Sequence, residues 1–256
     1  MTSAIFGYTG FVGSNLTAQY EFDNVFNTSN SMESAGKDYD FVVFAAAKAE
    51  KWRINKYPAA DIQHIQELEG LIAGVRAKQF VLISTVDVYI SPNGVDEATE
   101  IATDGLSPYG AHRYRLEEFV RAQHPGALVV RLPGLFAAGL KKNVIFDLLT
   151  NNNVERIHAD STFQYYNLEH LWSDIQIALA HDLLTVNLTS EPIRTGDLVR
   201  AAFGYDFDNR PDDANVGSYD MQTNFAELFG GSGSYTRSRD QTIAEITSFV
   251  RREQGR

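Results

Sequence analysis

Short apolar runs alternate with helix-spaced segments through the first half of the chain, and this rhythm restricts the fold more than any other feature. The runs AIFG, NVFN, DFVVFAA, FVLIST and ALVVRLP are brief, β-branched or aromatic, and bounded by polar or turn residues, as buried strands are. Between them Phe11 to Tyr20, Asp61 to Val75 and Tyr109 to Arg121 carry apolar residues at helical spacing. Strand then helix, repeated, predicts a doubly wound parallel α/β sheet with helices on both faces. After Pro133 the rhythm loosens, and the tail from Asp206 to Gly233 is rich in Asp, Asn and Gly. We therefore expect a nucleotide-binding domain over residues 1–133, a small lobe over 134–256, and a return to the first domain over about 164–188.

The stretch IFGYTGFVGSNL follows the first run and opens the first helix. Its Gly7, Gly10 and Gly13 let the backbone turn tightly, approach a pyrophosphate and pack the helix on the sheet, with the phosphate at the helix start. A glycine turn that merely joins strand to helix is the plainer alternative. The strand before and the helix after supply the context that the dinucleotide motif needs. An acid that would hold an adenosine ribose is expected about 20 residues on. That region reads NVFNTSNS, with Asn27, Ser29 and Asn30: no acid repels a 2′-phosphate and no arginine attracts one. NAD and NADP both stay open, with a lean to NADP.

A chain of 256 residues with 44% hydrophobic content can bury a large core. A net charge of −11 argues against nonspecific nucleic-acid binding, which needs clustered Lys and Arg. No apolar run reaches the ~18 residues of a membrane span, and the first residues lack the pattern of a signal peptide. With no cysteine there is no disulfide or thiolate metal site, and a cytoplasmic protein is expected. The six histidines show no metal-binding spacing, so no metal is expected, and His64 and His112 read as lone surface residues. Neither a nucleophile elbow nor a P-loop occurs.

Six motifs in order, GYTGFVG, DFVVFAAA, FVLISTVDVY, SPYGAHRYRLEEF, VVRLPGLF and FQYYNLEHLWSDI, resemble an extended short-chain dehydrogenase/reductase of the NAD-dependent epimerase/dehydratase family, whose members act mostly on nucleotide sugars. The resemblance runs from residue 4 to about residue 190. It implies a Rossmann-type fold with a small C-terminal substrate lobe, and NAD or NADP held by Gly7, Thr9, Gly10, Phe11, Val12, Gly13, Asn27, Ser29, Ala45, Ala46, Tyr109, Arg113 and Pro133. It further implies Tyr109 as acid/base, Thr85 as the hydroxyl that orients the substrate oxygen, and Lys48, Thr85, Lys142, Asn143 and Gln164 as substrate contacts. For Lys141 and Lys142 an ordinary solvated loop is the alternative. The resemblance also implies a homodimer in which Asp61 to Val75 and Tyr109 to Arg121 form a four-helix bundle.

Two positions depart from the family pattern. Ala137 and Ala138 stand where a Gly-Pro pair is common, and the Tyr-x-x-x-Lys motif reads Tyr109-Gly-Ala-His-Arg113. Ionising a phenol of pKa about 10 at neutrality takes about 4 kcal/mol. A cation about 4 Å away supplies that much at an effective dielectric near 20. Arg113, four residues on, shares the helix face of Tyr109 and is placed to supply it. Its planar fork, though, differs from a compact ammonium. In the plainer alternative Tyr109 packs and Arg113 pairs with Glu117 one turn on. Asp87 lies where dehydratases of the family often carry a Glu, so it is a candidate base, or else a polar contact at a strand end.

The sequence thus leads to a nucleotide-sugar epimerase using Tyr109 and hydride transfer, with a 4-keto-sugar reductase or a dehydratase as alternatives. The short segment from Ser29 to Asp40 resembles the reductase branch, whereas DVY and FQYYNLEHLW look epimerase-like. A non-catalytic protein that binds NAD(P) or a sugar nucleotide, and a flavin or quinone reductase relative, are the other readings.

Overall fold

The computed structural model describes residues 2–255, which divide into two compact units. The first comprises the chain up to Ile90 with Thr99–Arg131 and Leu171–Val186; the second comprises Ser91–Ala98, Leu132–His170 and the chain from Asn187. In order, the elements up to the return segment are β1 (Ser3–Phe6), α1 (Phe11–Thr17), β2 (Asn24–Phe26), β3 (Asp38–Phe44), α2 (Lys51–Lys56), α3 (Pro58–Ala73), β4 (Arg76–Thr85), β5 (Asn93–Val95), α4 (Pro108–Gln123) and β6 (Leu128–Leu132). They continue as β7 (Gly134–Phe136), α5 (Val144–Thr150), β8 (Thr162–Phe163), β9 (Tyr165–Asn167), α6 (Leu171–Ala180), β10 (Thr185–Asn187), β11 (Ile193–Arg194), α7 (Thr195–Phe203), β12 (Asp220–Met221) and α8 (Arg239–Glu253).

One six-stranded sheet, ordered β10-β6-β4-β3-β1-β2, organises the first unit. The pairs β2 with β1, β1 with β3, and β3 with β4 are parallel, so the ends of β1, β3 and β4 that carry the candidate residues lie along one edge of the sheet. Both faces of the central strands are covered, which is why β1 and the later part of β3 read as continuous apolar runs. The core gathers Phe6, Phe26, Val42, Phe44, Phe80 and Leu82 from the strands with Ile65, Leu68, Leu116 and Val120 from α3 and α4. The expected doubly wound α/β sheet is present.

α4 begins where its sequence directs. Ser107 accepts the Gly110 amide at 3.3 Å as its cap, and Pro108 fills the first turn without an unused N–H. The helix lies beside α3, tied to it at the surface by Arg115 and Glu69 at 2.7 Å. Toward the sheet it carries a charged residue inward. Glu117 is fully buried and accepts Nε and Nη2 of Arg131 on β6 at 3.1 and 2.7 Å, together with the Ser84 hydroxyl of β4. Arg131 also donates through Nη1 to the Tyr89 hydroxyl at 2.7 Å.

The second unit has its own core, built on Phe136, Ile145, Tyr165, Ile193, Leu198, Ile246 and Phe249. Short strand pairs, β7 with β9, β8 with β11 and β5 with β12, frame it. The turn that lacks the family's Gly-Pro pair closes instead with Leu140 N–H on Ala137 O at 3.2 Å, and Gly139 takes the positive φ of +83°. The chain rejoins the first unit over Leu171–Val186, a shorter stretch than 164–188, because Gln164 and β9 belong to the second unit. No described helix is long and apolar enough to cross a membrane.

Candidate functional site

The glycine turn is shaped by two close approaches. Gly7 sits at φ +84°, donates its N–H to Phe26 O at 2.7 Å, and a Cβ there would lie 2.5 Å from Ala45 O. A Cβ at Gly13 would lie 2.1 Å from Gly7 O, so only glycine lets α1 pack on the turn. Gly10 caps α1 in extended conformation, is exposed with Thr9, and a Cβ there would meet only Gly7 O, at 3.2 Å. Phe11 and Val12 are half-buried in a first helical turn that carries no acid. The turn is therefore open above Gly10 and closed beneath it, the shape that a diphosphate needs to approach bare backbone. Gly13→Ala is expected to cost about 1–3 kcal/mol by overpacking, read by thermal melting. Gly126→Ala, where a Cβ meets nothing, leaves the melting temperature in place.

Around that turn the predicted residues gather as their strand ends require. Ala45 N–H bonds Phe6 O at 2.9 Å, which holds Ala45 and Ala46 at the end of β3 beside the turn. At the end of β2, Asn27 accepts the Ser29 amide at 2.9 Å and its hydroxyl at 2.6 Å, and reaches the Tyr8 hydroxyl at 3.4 Å.

Tyr109 lies in the first turn of α4 with 6% of its surface exposed. Its backbone N–H donates to Asn55 Oδ1 of α2 at 2.9 Å. The Arg113 guanidinium carbon stands 4.8 Å from the centre of its ring. Burial raises the phenol's pKa above its ordinary 10 and the Asp87 charge adds to this, against the pull of Arg113 and Thr85. The phenol thus remains a held proton rather than a ready phenolate.

Arg113 is 3% exposed, and neither alternative reading of it anticipated its partner. It pairs with Asp61 on α3, Nη2 to Oδ1 at 3.2 Å and Nη1 to Oδ2 at 3.4 Å, and Nη2 also donates to Lys48 O. Glu117, its supposed partner one turn on, instead serves Arg131 and, at 3.2 Å, Arg121. The Arg113 Nε is buried with no hydrogen-bond partner among the described residues. His112 Nδ1 meets Asp61 Oδ2 at 2.8 Å. Its side chain and that of His64 are mostly covered, which corrects the surface placement of both. Burial lowers the pKa of His64, with the charge of Lys48 adding to the effect.

Asp87 turns back on Thr85, with its N–H on Thr85 Oγ1 at 3.2 Å and its Oδ2 3.4 Å from that oxygen. Its Oδ1 takes Lys51 Nζ of α2 at 2.6 Å. Lys51 and Asn55 went unrecognised because α2 is short and lacks a helical apolar stripe; the position of both on one six-residue turn is visible only in the fold. Lys48 is exposed and contributes its carbonyl oxygen to Arg113.

No protein-family model matches the sequence, and no curated protein matches it. Solved structures match over nearly the whole chain. An NAD-dependent NDP-hexosamine 5,6-dehydratase of tunicamycin biosynthesis superposes with a TM-score of 0.74 at 16% identity, covering 100% of this chain and 98% of its own. UDP-N-acetylglucosamine 4-epimerase from Methanobrevibacter ruminantium gives 0.73 at 15%, covering 98% and 97%, and a dTDP-4-dehydrorhamnose reductase from Clostridium acetobutylicum gives 0.71 at 15%, covering 99% and 100%. The chain has the extended short-chain dehydrogenase/reductase fold. The first unit contains Gly7 to Gly13, Asn27, Ser29, Ala45, Ala46, Lys48, Thr85, Asp87, Tyr109 and Arg113.

Pro133, Lys142, Asn143 and Gln164 belong to the second unit. There Asn143 caps α5, accepting from Ile145 and Phe146 amides at 3.0 and 3.2 Å and donating to Leu135 O at 2.8 Å. Gln164 is 1% exposed and donates to Thr189 Oγ1, Ser190 O and Met221 O within 2.8 Å. These hydrogen bonds occupy the side chains of Asn143 and Gln164 with protein partners. Lys141 and Lys142 are exposed ahead of α5.

Proposed function

We propose that this chain is a nicotinamide-dependent enzyme acting on a nucleotide sugar, with Tyr109 giving a proton to a carbonyl oxygen that Thr85 orients. The buried Tyr109, with its ring against the Arg113 guanidinium, carries this reading. Gly7, Thr9, Gly10, Phe11, Val12 and Gly13 would hold the dinucleotide's diphosphate, Asn27, Ser29, Ala45 and Ala46 would border it, and the unpartnered Arg113 Nε is a donor for a ribose hydroxyl. When bound, the nicotinamide supplies the hydride. Pro133, Lys142, Asn143 and Gln164 remain substrate-side or cofactor-side proposals from the family resemblance. The nucleotide-sugar class is supported by what the structural neighbours are named for, epimerases, a reductase and a dehydratase.

The short link from β2 to β3 resembles the reductase branch, so we favour the 4-keto-sugar reductase over the epimerase. In the epimerase-like stretches Tyr89 bonds Arg131, and Tyr165 and Tyr166 are buried. With no acid at Asn27 or Ser29 to repel a 2′-phosphate, NADPH is the favoured cofactor. We also infer a homodimer through α3 and α4, and a cytoplasmic setting from the absence of cysteine. Incubation with NADPH or NADH and a panel of 4-keto nucleotide sugars tests the reading. Stoichiometric oxidation of the cofactor with a reduced sugar product is expected. Epimer exchange without net oxidation would select the epimerase, and cofactor binding without turnover would favour a sensor and overturn the enzyme.

A further inference from the structure

The Thr85 hydroxyl meets Asp87 twice. Its oxygen accepts the Asp87 amide at 3.2 Å, which uses a lone pair and fixes the hydroxyl at the start of the turn Val86–Val88. The proton of that hydroxyl is then the part left for another partner. It reaches Asp87 Oδ2 only at 3.4 Å, beyond the range of about 2.5–3.0 Å for an O–H···O bond. A carboxylate next to a hydroxyl ordinarily takes its proton in a short charge-assisted bond. Here the other carboxylate oxygen, Oδ1, meets Lys51 Nζ at 2.6 Å, the closer and stronger contact. Both sides of this contest are anchored. α4 sits so close to the turn that a Cβ on Gly110 would lie 2.1 Å from Asp87 O, so the carboxyl group can swing while its backbone stays. Asn55, four residues after Lys51 and so on the same helix face, accepts the Tyr109 amide at 2.9 Å and moors α2 to α4.

We propose that Lys51 is a positioning residue, which holds the Asp87 carboxylate off the Thr85 hydroxyl and so keeps that hydroxyl's proton for the substrate oxygen. The proposal rests on the reading that Thr85 orients the reacting carbonyl. Without Lys51 the carboxylate turns to Thr85, closes the 3.4 Å gap and draws the proton into its own hydrogen bond. The substrate oxygen then faces a hydroxyl with no proton to offer, and an uncompensated negative charge stands near it as it becomes negative itself. Both losses fall on the transition state, so they belong in kcat more than in KM. A neutral side chain at position 87 is a weaker competitor for the proton. Loss of the acid therefore repairs loss of the lysine.

Crystal structures and kinetics together test this. In Lys51→Met the distance from Thr85 Oγ1 to Asp87 Oδ2 is expected to contract from 3.4 Å to below about 3.0 Å. Turnover of a 4-keto nucleotide sugar should fall about tenfold, the worth of one hydrogen bond, with KM within about twofold of the wild type. Lys51→Arg, which keeps the cation, should recover most of the rate. Lys51→Met combined with Asp87→Asn should be several times faster than Lys51→Met alone, a recovery that a packing role for Lys51 would not give. The Lys51 side chain is 44% exposed, so Lys51→Met folds with its melting temperature little moved. An unchanged distance in Lys51→Met overturns the proposal, and so does a double variant no faster than the single one. A wild type that turns over no sugar, while the distance contracts in Lys51→Met, refutes the proposed function and upholds the hold of Lys51 on Asp87.

Discussion

Tyr109→Phe should lose turnover by about 10²- to 10⁴-fold, the worth of a positioned proton donor, while dinucleotide affinity and melting temperature move little. Removing the hydroxyl takes away the proton donor and leaves the ring against Arg113. Steady-state rates set beside cofactor titration and thermal melting check this: a parallel loss of binding or of fold would make the residue a packing element. The pH profile follows from the same environment. A donor works while protonated, and the pKa of this phenol is raised, so the alkaline limb of turnover belongs above pH ~10. Folded protein holds the proton more tightly than unfolded protein does. The associated stability is therefore fully present below about pH 10 and fades as pH rises through the folded value. Asp87→Asn, which removes a charge that pushes the phenol up, should draw the alkaline limb downward.

The largest effect on stability is expected from the charged cluster inside α4 and β6. Arg131→Met should cost about 3–5 kcal/mol, because Glu117 is left buried with one flanking arginine, itself part-exposed, and Tyr89 loses its donor. Against a total of about 5–15 kcal/mol that is a large share, and it corresponds to a melting temperature about 6–20 °C lower. Adding Glu117→Gln should recover part of the loss, since no uncompensated charge then remains inside. Denaturant unfolding of the two single variants and the double variant reads the coupling; strict additivity would show that the two residues do not depend on each other.

Much of the first unit is legible in the sequence because its signals are local. β1 and the later parts of β3 and β4 carry continuous apolar runs, the glycines of the turn sit at fixed spacing, and Ser107-Pro108 marks the start of α4. Partner choice is less legible. The four-residue rule offers Glu117 both Arg113 and Arg121, and only packing decides that the part-exposed Arg121 and the buried Arg131 take it while Arg113 turns to Asp61, 52 residues away. Lys51 and Asn55 reach Asp87 and Tyr109 across similar distances in sequence, from a turn too short to show periodicity. In the second unit the elements are short and weakly patterned, so residues that resemblance assigned to substrate, Asn143 and Gln164, turn out to have their side-chain bonds within the protein.

The grip of Asp61 on Arg113 has an evolutionary consequence. A lysine at position 113 would present one ammonium where a fork now bridges a carboxylate and a backbone carbonyl, and a buried acid at position 61 would then keep His112 and lose the two-point grip of the fork. Descent should therefore have moved the two positions as a couple: lineages that keep arginine at 113 retain an acid at 61, and those that carry lysine have replaced it.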